Sequence, residues 1–232
     1  MPAVTTSLPS APPTDLLDDR ALHDLAARFE DAASEEVVAW AVATFGPRLV
    51  LTASMADAVL IDLATKVDPG IEVAFIDTRY HFPETLETAA RVRRRYQLNL
   101  TVLRTTAEPD GLWARDPDAC CAARKVRPLD ELLAGKDAWM SGLRREDHTT
   151  RADVPIVARD RRGLVKVNPL APWTDDDVDA YIAANDIIVN PLLSDGYGSV
   201  GCWPCTQRVA DGEHARSGRW AESGKTECGL HL

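Results

Sequence analysis

Five cysteines carry most of the chemistry open to this chain. Cys120 and Cys121 are adjacent, Cys202 and Cys205 bracket Trp203 and Pro204 as a CxxC, and Cys228 stands alone near the end. A CxxC turns the backbone around one centre and brings two sulfurs to it. Adjacent cysteines do this less easily, because neighbouring side chains in an extended chain point apart. A multi-metal centre relaxes that demand, since each thiolate binds its own iron. Four thiolates suit a [4Fe–4S] cluster or a structural zinc. A redox-active disulfide and plain buried core cysteines remain open on spacing alone.

Cys228 is the cysteine left over from that set. A reactive cysteine needs its thiolate, which nearby cations stabilise. Lys225 and His231 are close in sequence, and Arg216 and Arg219 lie a short loop upstream. A nucleophile on a terminal tail can attack a substrate and then swing out to a reductant. The plain alternative is an accessible thiol with no role.

Anion-binding chemistry has its own candidates. Thr52-Ala-Ser54-Met-Ala-Asp57 follows an apolar run and leads into a helical pattern. Such a small-residue turn at a helix start is where open α/β sheets bind anions, with Ser54 and Asp57 as the polar groups. It matches neither common phosphate-loop signature. Asp77, Thr78 and Arg79 end a second apolar run and are placed to face the same crevice; His81 reads as a structural or rim residue. Arginine grips phosphate or sulfate bidentately and lysine does so as a point charge. These cations gather at Arg124, Lys125 and Arg127; at Arg144, Arg145 and Arg151; and at Arg216 and Arg219. Arg91, Arg93, Arg94 and Arg95 read as one solvated helix face.

The elements that must position these groups follow from periodicity. Helices are expected over Leu16 to Phe29, Ser34 to Phe45, Ala56 to Lys66, Pro83 to Tyr96 and Thr174 to Asn185. Thr174 is the expected N-cap, and three aspartates suit the positive helix end. Buried strands are expected at Arg48-LVLTA, Ile71-EVAFI-Asp77, Leu98-NLTVL and Ala138-WMSGL. Val154-PIVA and Leu164-VKVNPL flank Arg159-DRRG as a hairpin or edge pair. The segment Glu108 to Pro128, which holds the cysteine pair, reads as loop and short helix. Alternating strands and helices imply right-handed crossovers and an open, mostly parallel α/β sheet covered by helices on both faces. Residues 1–14, rich in Pro, Ser and Thr, read as a disordered lead-in; 15–210 form the α/β domain; 211–232 form a mobile tail.

The chain has 232 residues, 45% hydrophobic and 27% charged, with a net charge of −10. So acidic a chain advertises neither nucleic-acid nor anionic-membrane binding. A few local cations can still hold a small anion. The start has no basic n-region and no apolar core of a signal peptide, no apolar run reaches membrane-spanning length, and the expectation is a cytoplasmic protein. An odd cysteine count without secretion signals points to metal or redox chemistry rather than a disulfide framework.

Taken together, Thr52-ASMAD, Ile76-DTRYHFPET, Cys120-CAARKVRPL, Asn168-PL, Gly201-CWPCT, His214-ARSGRW and Glu227-CGLH resemble the assimilatory sulfonucleotide reductases. The combination is closest to the iron–sulfur type that uses adenosine 5′-phosphosulfate (APS), and it spans about Thr52 to His231. The resemblance implies an adenine-nucleotide α-hydrolase-like fold. It implies a [4Fe–4S] cluster on Cys120, Cys121, Cys202 and Cys205, with Cys228 as nucleophile. Lys125 falls where the family has a lysine between cluster and substrate. Arg216, Arg219 and His231 match its phosphosulfate-binding residues, and Ser54 and Asp57 its modified pyrophosphatase-type loop. Arg144, or its neighbours Arg145 or Arg151, falls in an arginine-bearing segment after the fourth strand. The implied reaction is thioredoxin-dependent reduction of APS to sulfite and AMP through a Cys228 S-sulfonate, in sulfate assimilation. A homo-oligomer is compatible with the sequence.

One departure from the family stands out: Met55 occupies a loop position where relatives often carry glycine. Three other activities compete with the implied one. The 3′-phosphorylated substrate PAPS is disfavoured by the four-cysteine set. An ATP-pyrophosphatase or nucleotidyl transferase would want an intact SGGxDS-like loop. A zinc-stabilised redox sensor with a reactive tail cysteine is the rival outside the enzymes.

Overall fold

The apolar runs assemble into one sheet. β1 (Leu49–Ala53), β2 (Glu72–Asp77), β3 (Asn99–Arg104), β4 (Ala138–Ser141), β5 (Val157–Arg159) and β6 (Val165–Val167) are ordered β3-β2-β1-β4-β6-β5. All pairs are parallel except β5 with β6. This computed structural model describes residues 17–210, 212–221 and 223–231. The expected lead-in 1–14, and Leu16 at the start of the first expected helix, lie outside the described residues.

The central strands are apolar at successive positions because both faces are covered. Leu49 and Leu51 of β1 join one core with helices α1 (Asp19–Phe29), α2 (Ser34–Phe45), α3 (Val59–Val67) and α4 (Pro83–Tyr96). Val50 points the other way, to Ala74, Trp139, Leu129 and Leu133. Each such fully buried side chain contributes about 1.5–3 kcal/mol. Among the described residues no helix is long and apolar enough to cross a membrane.

Two elements differ from the sequence expectation. The helix expected from Ala56 begins at Val59. The backbone of Ala56 and Ala58 is drawn instead to Asn190 (2.9 Å) and Ile188 (3.1 Å), and the Asp57 carboxylate accepts from Val59 N at 3.0 Å. The Glu108–Pro128 segment is not mainly loop. It contains α5 (Leu112–Arg115) and α6 (Pro117–Cys121), then a π-helical turn over Ala122–Val126 that runs on into α7 (Arg127–Leu133). Short apolar content hides such a helix from periodicity analysis. The last helix, α8 (Asp175–Asn185), has the expected Thr174 cap, closed by Asp177 into a capping box.

Strand order reverses between β1 and β4, since β2 and β3 lie to one side of β1 and β4 to the other. The loops after β1 and β4 therefore flank a crevice at the carboxyl ends of the strands, the usual ligand position in such sheets.

Candidate active site

Cys120, Cys121, Cys202 and Cys205 line one narrow cleft, with Thr78 and Lys125 in the same wall. Asp116 caps α6 by accepting from Ala119 N at 2.9 Å, and the π turn follows Cys121 directly. Hydrogen bonds closed i→i+5 lower the angle between successive residues. Neighbouring side chains splay less there, so Cys121 and Lys125 share the cleft face with Cys120 and Arg124. The CxxC closes on itself through Cys205 N to Cys202 O at 2.9 Å, and Thr78 Oγ1 lies 3.2 Å from Cys202 Sγ.

All four cysteines are free thiols, three of them buried. Burial, and then repulsion from neighbouring thiols, pushes Cys120 and Cys205 up. Cys121 is pushed up to about 11, again chiefly by burial. A set of buried thiols that resists ionising in the absence of a counter-charge fits a cationic metal centre. Among the described residues, no three His, Cys, Asp or Glu side chains converge closely enough to hold a single metal ion.

Arg124 staples this cleft to the sheet. It is 2% exposed and donates to Ala107 O at 2.9 Å, Thr78 O at 3.4 Å, Asp110 Oδ1 at 3.1 Å and Glu108 O. Its guanidinium also lies 4.7 Å over the Tyr80 ring. Asp77 and Thr78 are tied into the turn after β2. The Asp77 carboxylate accepts from Arg79 N at 2.9 Å and pairs with Arg104 at 3.0 Å. Asp77 thus shapes the turn after β2. Arg79 pairs outward with Glu108 at 2.6 Å. His81 is a wedge: its ring bonds Ile76 O at 2.8 Å and its backbone bridges Cys202.

A run of cations leads away from the cleft. Burial draws the Lys125 pKa down, but negative charge on the facing sulfurs of Cys202, Cys228 and Cys121 draws it up by more, so the net shift is upward. Arg219 lies 4.4 Å over the Trp220 ring and reaches Ser199 Oγ at 3.3 Å. Arg216 is pulled below its ordinary value by burial and then by Arg151, with Arg219 adding to the repulsion. Arg151 and Arg216 both meet Glu227, at 2.7 and 3.3 Å. Buried Nε of Arg216, Nε of Arg219 and Nη1 of Arg144 have no hydrogen-bond partner. Each orphaned donor costs about 1–3 kcal/mol, which an oxyanion would recover.

At the crevice, Ser54 is exposed and Asp57 half-buried. Burial pushes the Asp57 carboxyl up, against Val59 N–H and the charge of Arg144. Arg144 pairs with Asp147 and Asp175, and Arg145 turns away to Glu30 at 2.7 Å. Met55 takes φ 63°, a left-handed conformation, with its side chain fully buried in the core. This chain therefore accepts backbone strain of about 1–2 kcal/mol where glycine would have none, and gains core packing.

The described part of the tail, 212–221 and 223–231, is docked. Leu230 packs on the second core, and His231 stacks on Trp139 with its Nδ1 3.2 Å from Lys166 Nζ. Sequence reasoning missed Lys166, Asp147, Asn190 and the role of Glu227. Only Lys166 left a signal: in Val165-Lys166-Val167 it is the residue on the opposite sheet face from two core valines. Asp147 bridges Arg144 to Arg151, so it joins the crevice to the tail. Asn190 holds the loop after β1 through Met55 O at 3.1 Å.

Residues 48–208 match the model of the phosphoadenosine phosphosulfate reductase domain. An adenosine 5′-phosphosulfate reductase of Streptomyces coelicolor is 51% identical over 91% of this chain and 94% of its own length. One from Mycolicibacterium smegmatis is 49% identical over 89% and 92%. Among solved structures, the phosphoadenylyl-sulfate (PAPS) reductase of Candida auris, a phosphate complex, superposes with a TM-score of 0.73 at 28% identity, covering 83% of this chain and 98% of that one. The FMN adenylyltransferase of Candida glabrata shares the fold alone, with a TM-score of 0.56 at 14% identity, over 80% of this chain and 65% of that one.

Proposed function

The chain belongs to the phosphoadenosine phosphosulfate reductase domain family, and from that premise we propose that it reduces APS to sulfite with release of AMP. The observation that carries the proposal is the set of unpartnered buried guanidinium donors on Arg144, Arg216 and Arg219. Arg216 and Arg219 are close enough to repel one another, and Glu227, Arg151 and Asp147 link Arg216 to Arg144. The two curated relatives at about half identity share the APS-reductase name, which favours APS over its 3′-phosphorylated analogue.

In this reading the nucleoside lies in the crevice between Ser54, Asp57 and Arg144. Arg216, Arg219, Lys125 and His231 neutralise the phosphate and sulfate oxygens. Cys228 thiolate attacks the sulfate sulfur, a sulfur–sulfur bond forms, and the sulfur–oxygen bond to AMP breaks. Charge grows on the departing phosphate oxygen, so fixed cations there lower the barrier. A dithiol reductant, thioredoxin or a relative, then attacks Cys228, releases sulfite and ends as a disulfide after giving two electrons.

Cys120, Cys121, Cys202 and Cys205 are the residues to hold a [4Fe–4S] cluster. Their sulfurs line one cleft without converging on one ion, which favours a multi-iron centre over a tetrahedral zinc. When bound, such a cluster supplies a fixed charge beside Lys125, and Thr78 donates toward Cys202. The part of the tail that moves is proposed to start later than residue 211. Gln207 N bonds Gly218 O, Thr206 bridges Arg219, and Trp220 N bonds Cys205 O, so Arg216 and Arg219 sit in a loop closed on the domain. The stretch after it, with Cys228, is the part that moves.

The test mixes anaerobically purified protein with APS and no reductant. The expected result is stoichiometric AMP and a sulfonate on Cys228, with sulfite released only on adding thioredoxin. Cys228→Ser should bind AMP and sulfonate nothing. AMP released without a Cys228 adduct would overturn the mechanism, and zinc without acid-labile sulfide would overturn the cluster.

A further inference from the structure

Glu227 precedes the proposed nucleophile by one residue and is held more tightly than any surface ion pair needs to be. Arg151 donates to it through Nε at 2.7 Å and Nη2 at 2.8 Å, a two-pronged contact that fixes the carboxylate plane. Arg216 Nη2 reaches the same carboxylate at 3.3 Å and the preceding carbonyl, Thr226 O, at 2.9 Å. Side-chain exposure is 11% for Arg151, 10% for Glu227 and 11% for Arg216. Arg151 is braced in turn by Asp147 at 2.9 Å. This is a shielded, networked ion triad, the kind whose loss is felt.

The triad lies at the junction of two functions. Arg151 comes from the region after β4, fixed to the sheet, whereas Glu227 belongs to the tail. Arg216 contributes one arm to the tail and keeps its buried Nε unpartnered. On the far side of Cys228, Gly229 takes φ 80° and packs near Val126 of the π turn, so the chain reverses immediately after the thiol. Glu227 therefore sets where the tail enters that reversal.

We propose that Glu227 is the positioning residue of the tail: by bridging Arg151 to Arg216 it docks Cys228 at the cleft and ties that docking to an arginine of the anion site. The proposal rests on Cys228 being the nucleophile and adds a residue to which that reading gives no role. Glu227 touches neither the reacting sulfur nor the leaving group; it acts through the thiol that follows it.

The test uses the full chain with Glu227→Gln, Arg151→Gln and the double variant. Glu227→Gln keeps shape and loses charge, and Arg151→Gln removes the partner from the other side, so one of them can fail to fold without ending the test. Iodoacetamide labelling of Cys228, followed by peptide mapping on nucleotide-free protein, reads docking. Single-turnover sulfonation at saturating APS reads positioning, and AMP affinity reads the anion site. Each single variant should label on the order of tenfold faster and sulfonate on the order of tenfold slower. In Glu227→Gln, AMP affinity should not fall. The double variant should be no worse than either single, because the two groups act as one unit. Wild-type labelling and sulfonation in Glu227→Gln, or effects that add in the double variant, would overturn the proposal. If wild-type protein is not sulfonated at Cys228, the underlying reading fails, and labelling alone still decides whether Glu227 docks the tail.

Discussion

The imidazole of His231 lies flat on the indole of Trp139, with ring centroids 5.8 Å apart and planes 9° from parallel. Lys166 Nζ is 3.2 Å from Nδ1. An ammonium there donates, so Nδ1 accepts and Nε2 carries the proton, free to donate to an oxyanion. Burial first, then Lys166, Arg151 and Arg216, push the His231 pKa well below its ordinary 6.5. The docked tail thus binds fewer protons than the free tail. Docking is at full strength above about pH 6.5 and weakens as pH falls below it, by up to about tenfold per unit. Hydrogen exchange of the tail, corrected for intrinsic rates, should lose protection below that pH in wild type and not in His231→Asn. Equal profiles would remove His231 as an anchor.

Lys166 has the opposite role in pH. Burial, helped by Arg151 and Arg162, pushes it down to about 8. Its charge is present below that value and lost above it. If it joins the anion site beside His231, AMP affinity should fall as pH rises through 8, and AMP binding near pH 8 should take up protons, because the bound anion favours the ammonium. Calorimetry in buffers of different ionisation enthalpy should detect that uptake in wild type and find none in Lys166→Met. Proton uptake that survives in Lys166→Met would assign it to another group.

Gly201 makes room for Arg219. A Cβ at that position would clash with the Arg219 guanidinium, at the entrance to the CxxC. Gly201→Ala should therefore push Arg219 off its seat and lower AMP affinity by roughly 10- to 100-fold, the worth of a charged, two-pronged hydrogen bond. Titration of the variant with AMP checks this. Undiminished affinity would mean that Arg219 stands outside the anion site.

The sheet was legible because its central strands bury both faces and so write uninterrupted apolar runs, as in Leu49-Val50-Leu51. Helices with one wet face, such as Pro83–Tyr96, showed their spacing and their starting proline. The cysteine helix did not, because its inward residues are Cys120, Cys121, Arg124 and Lys125, which periodicity counts poorly. The late start of α3 was hidden for another reason. It depends on backbone bonds to Ile188 and Asn190, more than a hundred residues away, and no local pattern encodes such a partner. The cysteines and arginines announced themselves by type, whereas Glu227 and Asp147 looked like ordinary surface acids until their partners converged on them.

Arg124 offers the severest test of how the cleft is held. Its four acceptors come from two separate stretches: the turn after β2 at Thr78, and Ala107, Glu108 and Asp110 between β3 and α5. It links both to the cysteine helix. Arg124→Met keeps much of the volume and removes every donor, leaving the buried Thr78 carbonyl without this partner and freeing the β3–α5 stretch from the cysteine helix. Leaving a buried polar group without its partner costs about 1–3 kcal/mol, so the denaturation midpoint in urea should fall below wild type. The loss should be accompanied by a lower iron content, since the segment that carries Cys120 and Cys121 would no longer be fixed against Thr78 and Cys202. A variant within about 1 kcal/mol of wild type, the range of a surface pair, would show that the cysteine helix is held by its apolar contacts and not by this guanidinium.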